Sequence, residues 1–504
     1  MFANNSCNPI YPNGTSISGD PDAGEKGCQI GFYPPYSVNA TEPVHVQEAL
    51  KFIKQYNLRS NIKNTGHNGA KSSSYGALSI WTHNLQSFQF HQSFTPKSCG
   101  LNGTGANITY MGATVGAGMQ DQTLSDALAN HNALAVSGTN YDVGVAGWST
   151  SGGHGLATAE YGMGADNIIE AAIVTPTGDL ITANECQNSD IFWAIRGGNA
   201  GAFGVITSLT VKAYPMPDVR LWTFQVTQKN GTSIGNWYRF VAQVLSYMPD
   251  MHAGGFGGYL TTSAPAPGSQ LGLVGTFFLF NKPNGTMERL NAELQDFFGS
   301  GNATDAAEVT SSTLYFQDLS SLLAMLPSSE SVGKGGALQA SRLLTRDSLT
   351  RDLDLVAEVL LEVGPNFDGP TDGISSPSVS MTMTGSSVPV DNALNPAWRE
   401  TVLHFIHTRS WKDDVPQSIV ESAFHNATYI AGAKLRQLAP NTGAYINEAD
   451  INEPDWQSSL YGENYPRLFH IKQHIDPDQL LWCPHCPGSE AWVQHDDGKL
   501  CMAE

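Results

Sequence analysis

Two glycine-rich runs restrict this chain more than any other feature of its sequence. The first reads Gly144-Val145-Ala146-Gly147-Trp148-Ser149-Thr150-Ser151-Gly152-Gly153-His154-Gly155, and the second Gly197-Gly198-Asn199-Ala200-Gly201-Ala202-Phe203-Gly204. Between them lies a hairpin pattern, an apolar stretch at 171–174, a turn at Pro176-Thr177-Gly178-Asp179, and a second strand at 180–182. Glycine lets backbone approach a ligand closely and turn its N–H groups toward phosphate oxygens. No helix rich in Lys and Arg lies nearby, so a pyrophosphate bound here would be held by backbone amides. A Rossmann site does not fit, because neither run places G-x-G-x-x-G at a strand-to-helix turn with an acidic residue about twenty positions on. A P-loop does not fit either, since no Gly-Lys-Ser/Thr follows. Glycine corners of a packed β structure are the other reading that composition leaves open.

The surrounding text predicts a first domain over 30–217. A helix is expected over 44–56, with Val46, Ala49, Phe52 and Ile53 at helical spacing and Thr41 and Pro43 at its start. Strands are expected at 57–63, 108–115 and 205–213, and helices near 120–130 and 189–195. From 218 to 440 strands at 221–226, 271–279 and 378–384 mix with amphipathic helices at 233–248 and 287–298. That is an α+β pattern with an antiparallel sheet flanked by helices. A turn-rich, aromatic stretch occupies 441–504, and 1–29 is a loop-like N-terminal segment. At 504 residues, two domains or more are the starting expectation.

Charge narrows the function classes. Lys plus Arg number 26 against 46 for Asp plus Glu, a formal charge of −20. Nucleic acid and anionic membrane surfaces would be repelled, and no basic cluster offsets this. No apolar run is long enough to span a bilayer. No signal peptide is visible at Met1-Phe2-Ala3-Asn4, yet Asn-x-Ser/Thr triplets occur at Asn4, Asn13, Asn39, Asn102, Asn107, Asn230, Asn284, Asn302 and Asn426. With so few lysines, that density predicts an extracellular protein carrying N-glycans. Cys7 and Cys28 bracket a Gly/Pro/Asn-rich segment that a disulfide would staple. Cys483-Pro-His-Cys486 has CxxC spacing, but zinc lacks two further ligands and thioredoxin chemistry lacks its βαβ context. A disulfide from that segment to Cys501 is expected, and no metal site.

Several motifs, in order, carry a resemblance. Asn64-Thr65-Gly66-His67-Asn68, Ser79-Ile80-Trp81-Thr82-His83, Val143-Gly144-Val145-Ala146-Gly147, Gly152-Gly153-His154-Gly155, Gly162-Met163-Gly164-Ala165-Asp166 and 190–198 resemble the FAD-binding domain of the vanillyl-alcohol oxidase family. With Ala444-Tyr445-Ile446-Asn447, Trp456, 461–468, Asp476-Pro477-Asp478 and 393–399, the chain is similar to the family's fungal berberine-bridge-enzyme-like branch over nearly its whole length.

The resemblance implies a covalent bond from His67 to the 8α-methyl of FAD. It also implies a cofactor-binding set of Asn64, Thr65, Gly66, His67, Asn68, Gly69, Ser137, Gly138, Val143, Gly144, Gly147, Gly152, Gly153, His154, Gly155, Val205, Asn464 and Tyr465. Bicovalent members add a cysteine shortly before Val-Gly-Val-x-Gly; here that place falls near Asn140, with no cysteine close by, so a single link is expected. Tyr445 is the first candidate for catalytic base, with Asn447 orienting substrate and Tyr465 near the flavin ring; an unperturbed phenol near pKa 10 would need a polar or cationic neighbour. Trp148 stands where relatives are often smaller and would narrow the cleft. His154 is expected to support the flavin rather than act as base.

The expected reaction is hydride transfer from a small organic substrate, alcohol or carbohydrate, to flavin, with O2 then reduced to H2O2. A dehydrogenase using another acceptor and a non-catalytic secreted glycoprotein are the alternatives.

Overall fold

The computed structural model describes residues 10–503 apart from 17–18, 26, 28, 32, 70–72, 74–76, 100–108, 265–267, 326–335, 368, 370 and 496–499. The fold is α+β, built on two hydrophobic cores. In the first, the helix Pro43–Gln55 connects the parallel strands of a three-stranded sheet, ordered Tyr36–Asn39, Leu78–Trp81, Ser60–Lys63. Its Val46, Leu50 and Ile53 recur on one face and are fully buried, which is why this stretch forms a helix against the sheet.

A five-stranded antiparallel sheet completes the first unit. Its order is Phe88–Phe94, Tyr110–Gly116, Val205–Lys212, Ile168–Val174, Leu180–Ala183. The hairpin expected from the turn at 176–179 closes here, with Gly178 at φ +86°. Ala444, Ile446, Tyr461, Leu468 and Leu481 of the C-terminal stretch are buried in this same core. Lys472 secures the return. Its ammonium donates to Asp476 Oδ2 at 2.6 Å, Ala202 O at 2.8 Å and Leu481 O at 2.7 Å, so all three protons are used in a buried site.

The second core lies under a seven-stranded antiparallel sheet. Its order is Ala307–Phe316, Val219–Gln228, Gly272–Phe280, Gly257–Ser263, Ser378–Met383, Thr401–Trp411, Gly336–Thr345. Helices Ile234–Ser246 and Leu353–Val363 bury Trp237, Val241, Val356 and Leu360 in that core with Trp222, Phe277 and Leu403 of the sheet. The strand Thr401–Trp411 is buried along its first seven residues and carries His404.

Two disulfides join described residues, Cys99–Cys186 and Cys483–Cys486, and Cys501 is free and exposed. The bridge expected to Cys501 is thus replaced by one within the CxxC itself, where the turn at 483–486 brings the two Cα atoms to 5.4 Å. Cys99–Cys186 was not anticipated at all. The Cys7–Cys28 pair lies outside the described residues.

Candidate active site

Two cavities with shared walls form one elongated cleft between the strand Ser60–Lys63, the helix Val145–Thr150 and the C-terminal stretch. Their empty volumes, open to solvent at the mouth, are about 820 and 880 Å³. Ile62, Asn64, Asn68, Gly147 and Asn447 line both.

The loop before His67 is held by the residues that follow it. Trp81 Nε1 donates to Asn64 O at 3.1 Å, Asn64 Nδ2 donates to Ala117 O at 3.0 Å, and Asn64 Oδ1 lies 3.2 Å from His83 Nδ1. Gly66 turns the chain at φ +93°, a conformation L side chains rarely adopt, and delivers His67 to the cleft. There His67 Nε2 lies 2.9 Å from Asp142 Oδ1.

The two glycine-rich runs meet directly: the N–H groups of Gly197 and Asn199 both donate to Thr150 O, at 3.0 and 3.1 Å. A Cβ on Gly147 would meet nothing within 4 Å, and one on Gly201 only Asn199 Oδ1 at 3.5 Å. Both backbones therefore lie bare toward the cleft, a cradle that any side chain would fill. A Cβ on Gly144 would come within 2.4 Å of Asn64 Nδ2, which is why the wall there is glycine.

Not every residue in the expected cofactor set reaches the cleft. Asn64, Thr65, Gly66, His67, Asn68, Gly138, Val143, Gly144, Gly147, His154, Tyr445 and Asn447 line it. Gly69 sits beside it, its N–H donating to Asn447 O at 2.7 Å. Gly152, Gly153 and Gly155 serve packing: a Cβ on Gly153 would strike the Trp148 ring at 2.9 Å, and one on Gly155 would meet Ser137 O at 1.8 Å. Ser137 faces a separate apolar pocket with Leu134 and Leu156. Val205 is buried in the first core and pairs with Val174.

Asn464 and Tyr465 also lie away from this cleft. Asn464 Nδ2 donates to Leu394 O at 2.9 Å, tying down a linker. The Tyr465 ring packs on Trp456 and Tyr461, and its hydroxyl donates to Glu490 at 2.5 Å, so neither residue lines the cleft.

At the His67 end, Tyr445, His154, Trp148 and Glu448 close the cavity. Asn447 Nδ2 donates to the Tyr445 hydroxyl at 2.7 Å and Asn447 Oδ1 accepts from Asn68 at 2.7 Å. Burial pushes the Tyr445 phenol far up, reinforced by the Glu448 charge.

Glu448, unforeseen in the sequence, lines the same end of the cavity. Its Oε2 lies 3.1 Å from His154 Nε2 and 3.4 Å from His404 Nδ1. Burial alone would raise its carboxyl, but the His154 charge and hydrogen bond outweigh burial and hold it below the ordinary value. Burial pushes His404 down to about 3, so that ring is neutral, and neither of its nitrogens makes a hydrogen bond. The signal for Glu448 was present: it stands three residues after Tyr445, and the 3₁₀ turn Ile446–Glu448 brings positions three apart onto one side. His404 had no such signal, being brought in by the sheet.

The comparisons agree with this architecture. A family model described as FAD binding domain matches residues 34–184, and one described as Berberine and berberine like matches 444–486. An FAD-linked oxidoreductase of Arthroderma benhamiae is 32% identical, over 94% of this chain and 80% of that protein. This chain belongs to the berberine-bridge-enzyme-like branch of the VAO flavoprotein family. It is an FAD-dependent oxidoreductase. The FAD-linked oxidoreductase patO of Penicillium expansum is 30% identical to this flavoprotein, covering 99% of this chain and 82% of its own. The VAO-type flavoprotein MtVAO713 from Myceliophthora thermophila superposes with a TM-score of 0.87 at 27% identity, covering 99% and 87% of the two chains. Glucooligosaccharide oxidase from Acremonium strictum, at 16% identity, shares the fold with a TM-score of 0.72 over 91% and 93%. The bare cradle at Gly147 and Gly201 fits the elongated, phosphate-bearing cofactor of this family.

Proposed function

We propose that this flavoprotein is a secreted oxidase that removes a hydride from a hydroxyl-bearing carbon of a small alcohol or carbohydrate. One observation carries the reading: the Glu448 carboxyl, held below its ordinary value by His154, lines the same cavity as His67. FAD, bound along the cleft and joined through His67 alone, would accept the hydride and pass two electrons to O2, giving H2O2. Asn64, Asn68, Gly144, Gly147 and Gly201 would hold the cofactor.

The protein's own contribution is a proton sink and an orienting surface. Glu448 takes the hydroxyl proton as the C–H bond breaks, within reach of a substrate in the cavity it shares with Tyr445. His154 orients that carboxylate through its 3.1 Å contact. Neutral His404 backs it without competing for the proton. Asn447, holding the Tyr445 hydroxyl, presents polar groups that can position a second substrate hydroxyl. Trp148, whose Nε1 donates to His154 O at 3.0 Å, fixes the cavity wall.

The single link through His67 is supported by the lining residues around it. Thr139 and Asn140 stand there, and no cysteine lines that cavity among the described residues. Extracellular glycosylation is supported by Asn13, Asn39, Asn230, Asn284, Asn302 and Asn426, the sequon asparagines within the described residues, which are all exposed. The substrate is not fixed by the fold, which also hosts chitooligosaccharide oxidase and 6-hydroxy-D-nicotine oxidase. A dehydrogenase passing electrons to a quinone-like acceptor is the alternative on the same scaffold.

Two measurements test the proposal. Acid precipitation should leave the yellow chromophore with wild-type protein and release it from His67→Ala. A panel of oligosaccharides and aromatic alcohols assayed for H2O2 should yield at least one substrate; fast reoxidation by a quinone and none by O2 would replace oxidase with dehydrogenase.

A further inference from the structure

We propose that Asp142 positions His67 for attachment of the flavin, engaging the Nε2 side of the ring so that Nδ1 is the nitrogen that bonds. This rests on the covalent reading above. The observation behind it is the 2.9 Å contact between His67 Nε2 and Asp142 Oδ1, with the two side chains 17% and 32% exposed. A carboxylate can only accept from a neutral or charged imidazole, so Nε2 carries the proton and Nδ1 is bare in the neutral ring. A ring held in one tautomer and one orientation by a carboxylate is the arrangement that prepares an imidazole for nucleophilic work.

Asp142 is itself held in place. Gln120 Nε2 donates to its backbone carbonyl at 3.0 Å, and the Val143 carbonyl accepts from Asp121 N at 2.9 Å. The Asp121 carboxyl faces Asp142 from the helix Asp121–Ala129; burial, reinforced by the Asp142 charge, pushes it well above the ordinary carboxyl value.

The step balances. One C–H bond of the 8α-methyl breaks and a C–N bond to His67 Nδ1 forms. The methyl proton leaves to solvent, and the Nε2 proton passes to Asp142, so the substituted imidazole ends neutral. The two electrons released stay on the flavin, which becomes reduced by one pair, and O2 takes that pair to give H2O2. Asp142 thus orients the ring and receives the proton that must leave it.

The experiment uses full-length wild type, Asp142→Ala, Asp142→Asn and His67→Ala, each prepared without flavin and then given FAD. Total bound flavin is read from absorbance of the desalted native protein, and attached flavin from the acid pellet over time. Attachment in Asp142→Ala should be slower by roughly a hundredfold or more, the usual worth of a positioned base, while native protein still binds FAD. Asp142→Asn keeps an oxygen for Nε2–H but cannot take the proton; its attachment should be slow near neutral pH and recover as pH rises.

Wild-type attachment kinetics in either variant overturn the proposal and leave the His67 link standing. Should Asp142→Ala bind no flavin, Asp142→Asn decides: slow, pH-rescued attachment supports the role, and a pH-independent rate overturns it. If wild-type flavin washes out of the pellet, the covalent reading itself fails and this inference falls with it.

Discussion

Glu448→Gln isolates proton removal from every other property of the site. The amide keeps the shape of the side chain and an oxygen that can still accept from His154 Nε2, now 3.1 Å from Oε2. It cannot take a proton. Positioned general bases contribute about 10²–10⁴-fold, which is roughly 3–5 kcal/mol of barrier. Anaerobic stopped-flow reduction of the flavin, with a substrate found by H2O2 release, should slow by that factor while flavin content is unchanged.

The pH dependence gives an independent check. In wild type, burial raises the Glu448 carboxyl but His154 pulls it below the ordinary value. The active, ionised form is present above that depressed pKa and is lost as pH falls through it. Flavin reduction should therefore stay level through the ordinary carboxylate range and decline only at more acid pH. In His154→Ala the burial effect loses its main opponent, so the acid limb should move upward. A Glu448→Gln enzyme with a wild-type rate and profile would refute the assignment and return the role to Tyr445.

The remaining expectations concern the scaffold. Lys472→Met strands the buried Asp476 carboxylate, and breaking such a pair costs about 3–5 kcal/mol; a clear drop in melting temperature checks this. Gly147→Leu should give folded protein with an unchanged melting temperature before flavin is added and little bound flavin, because its side chain projects into the empty cleft. Cys99→Ser opens an 87-residue separation and should lower stability by about 4.6 kcal/mol in the chain-entropy estimate, read from melts under non-reducing conditions.

Local pattern carried the sequence reading as far as local chemistry reaches. The helix Pro43–Gln55, the hairpin after Ile168 and the helix Ser189–Ile195 show their period or turn residues openly. Two strands of the large sheet do not. Ala307–Phe316 is an edge strand exposed along most of its length, and Thr401–Trp411 is buried on both faces, so neither alternates. His404 was illegible for the same reason. Glycines could be recognised as special, yet only the packed structure separates Gly147, which faces the cleft, from Gly153, which makes room for Trp148.

The chain of contacts from Asn68 to Asn447 to Tyr445, with Gly69 N–H on Asn447 O, sets a rule for recombining relatives. Residues 64–69 and 444–448 lie far apart in the gene but share one hydrogen-bonded seam. A chimera that exchanges the C-terminal stretch alone would pair a foreign Asn447 position with the native loop and misplace the His67 turn. Crossover points that move both blocks together keep cofactor attachment and substrate chemistry in register, and shuffling that separates them should yield folded but flavin-poor proteins.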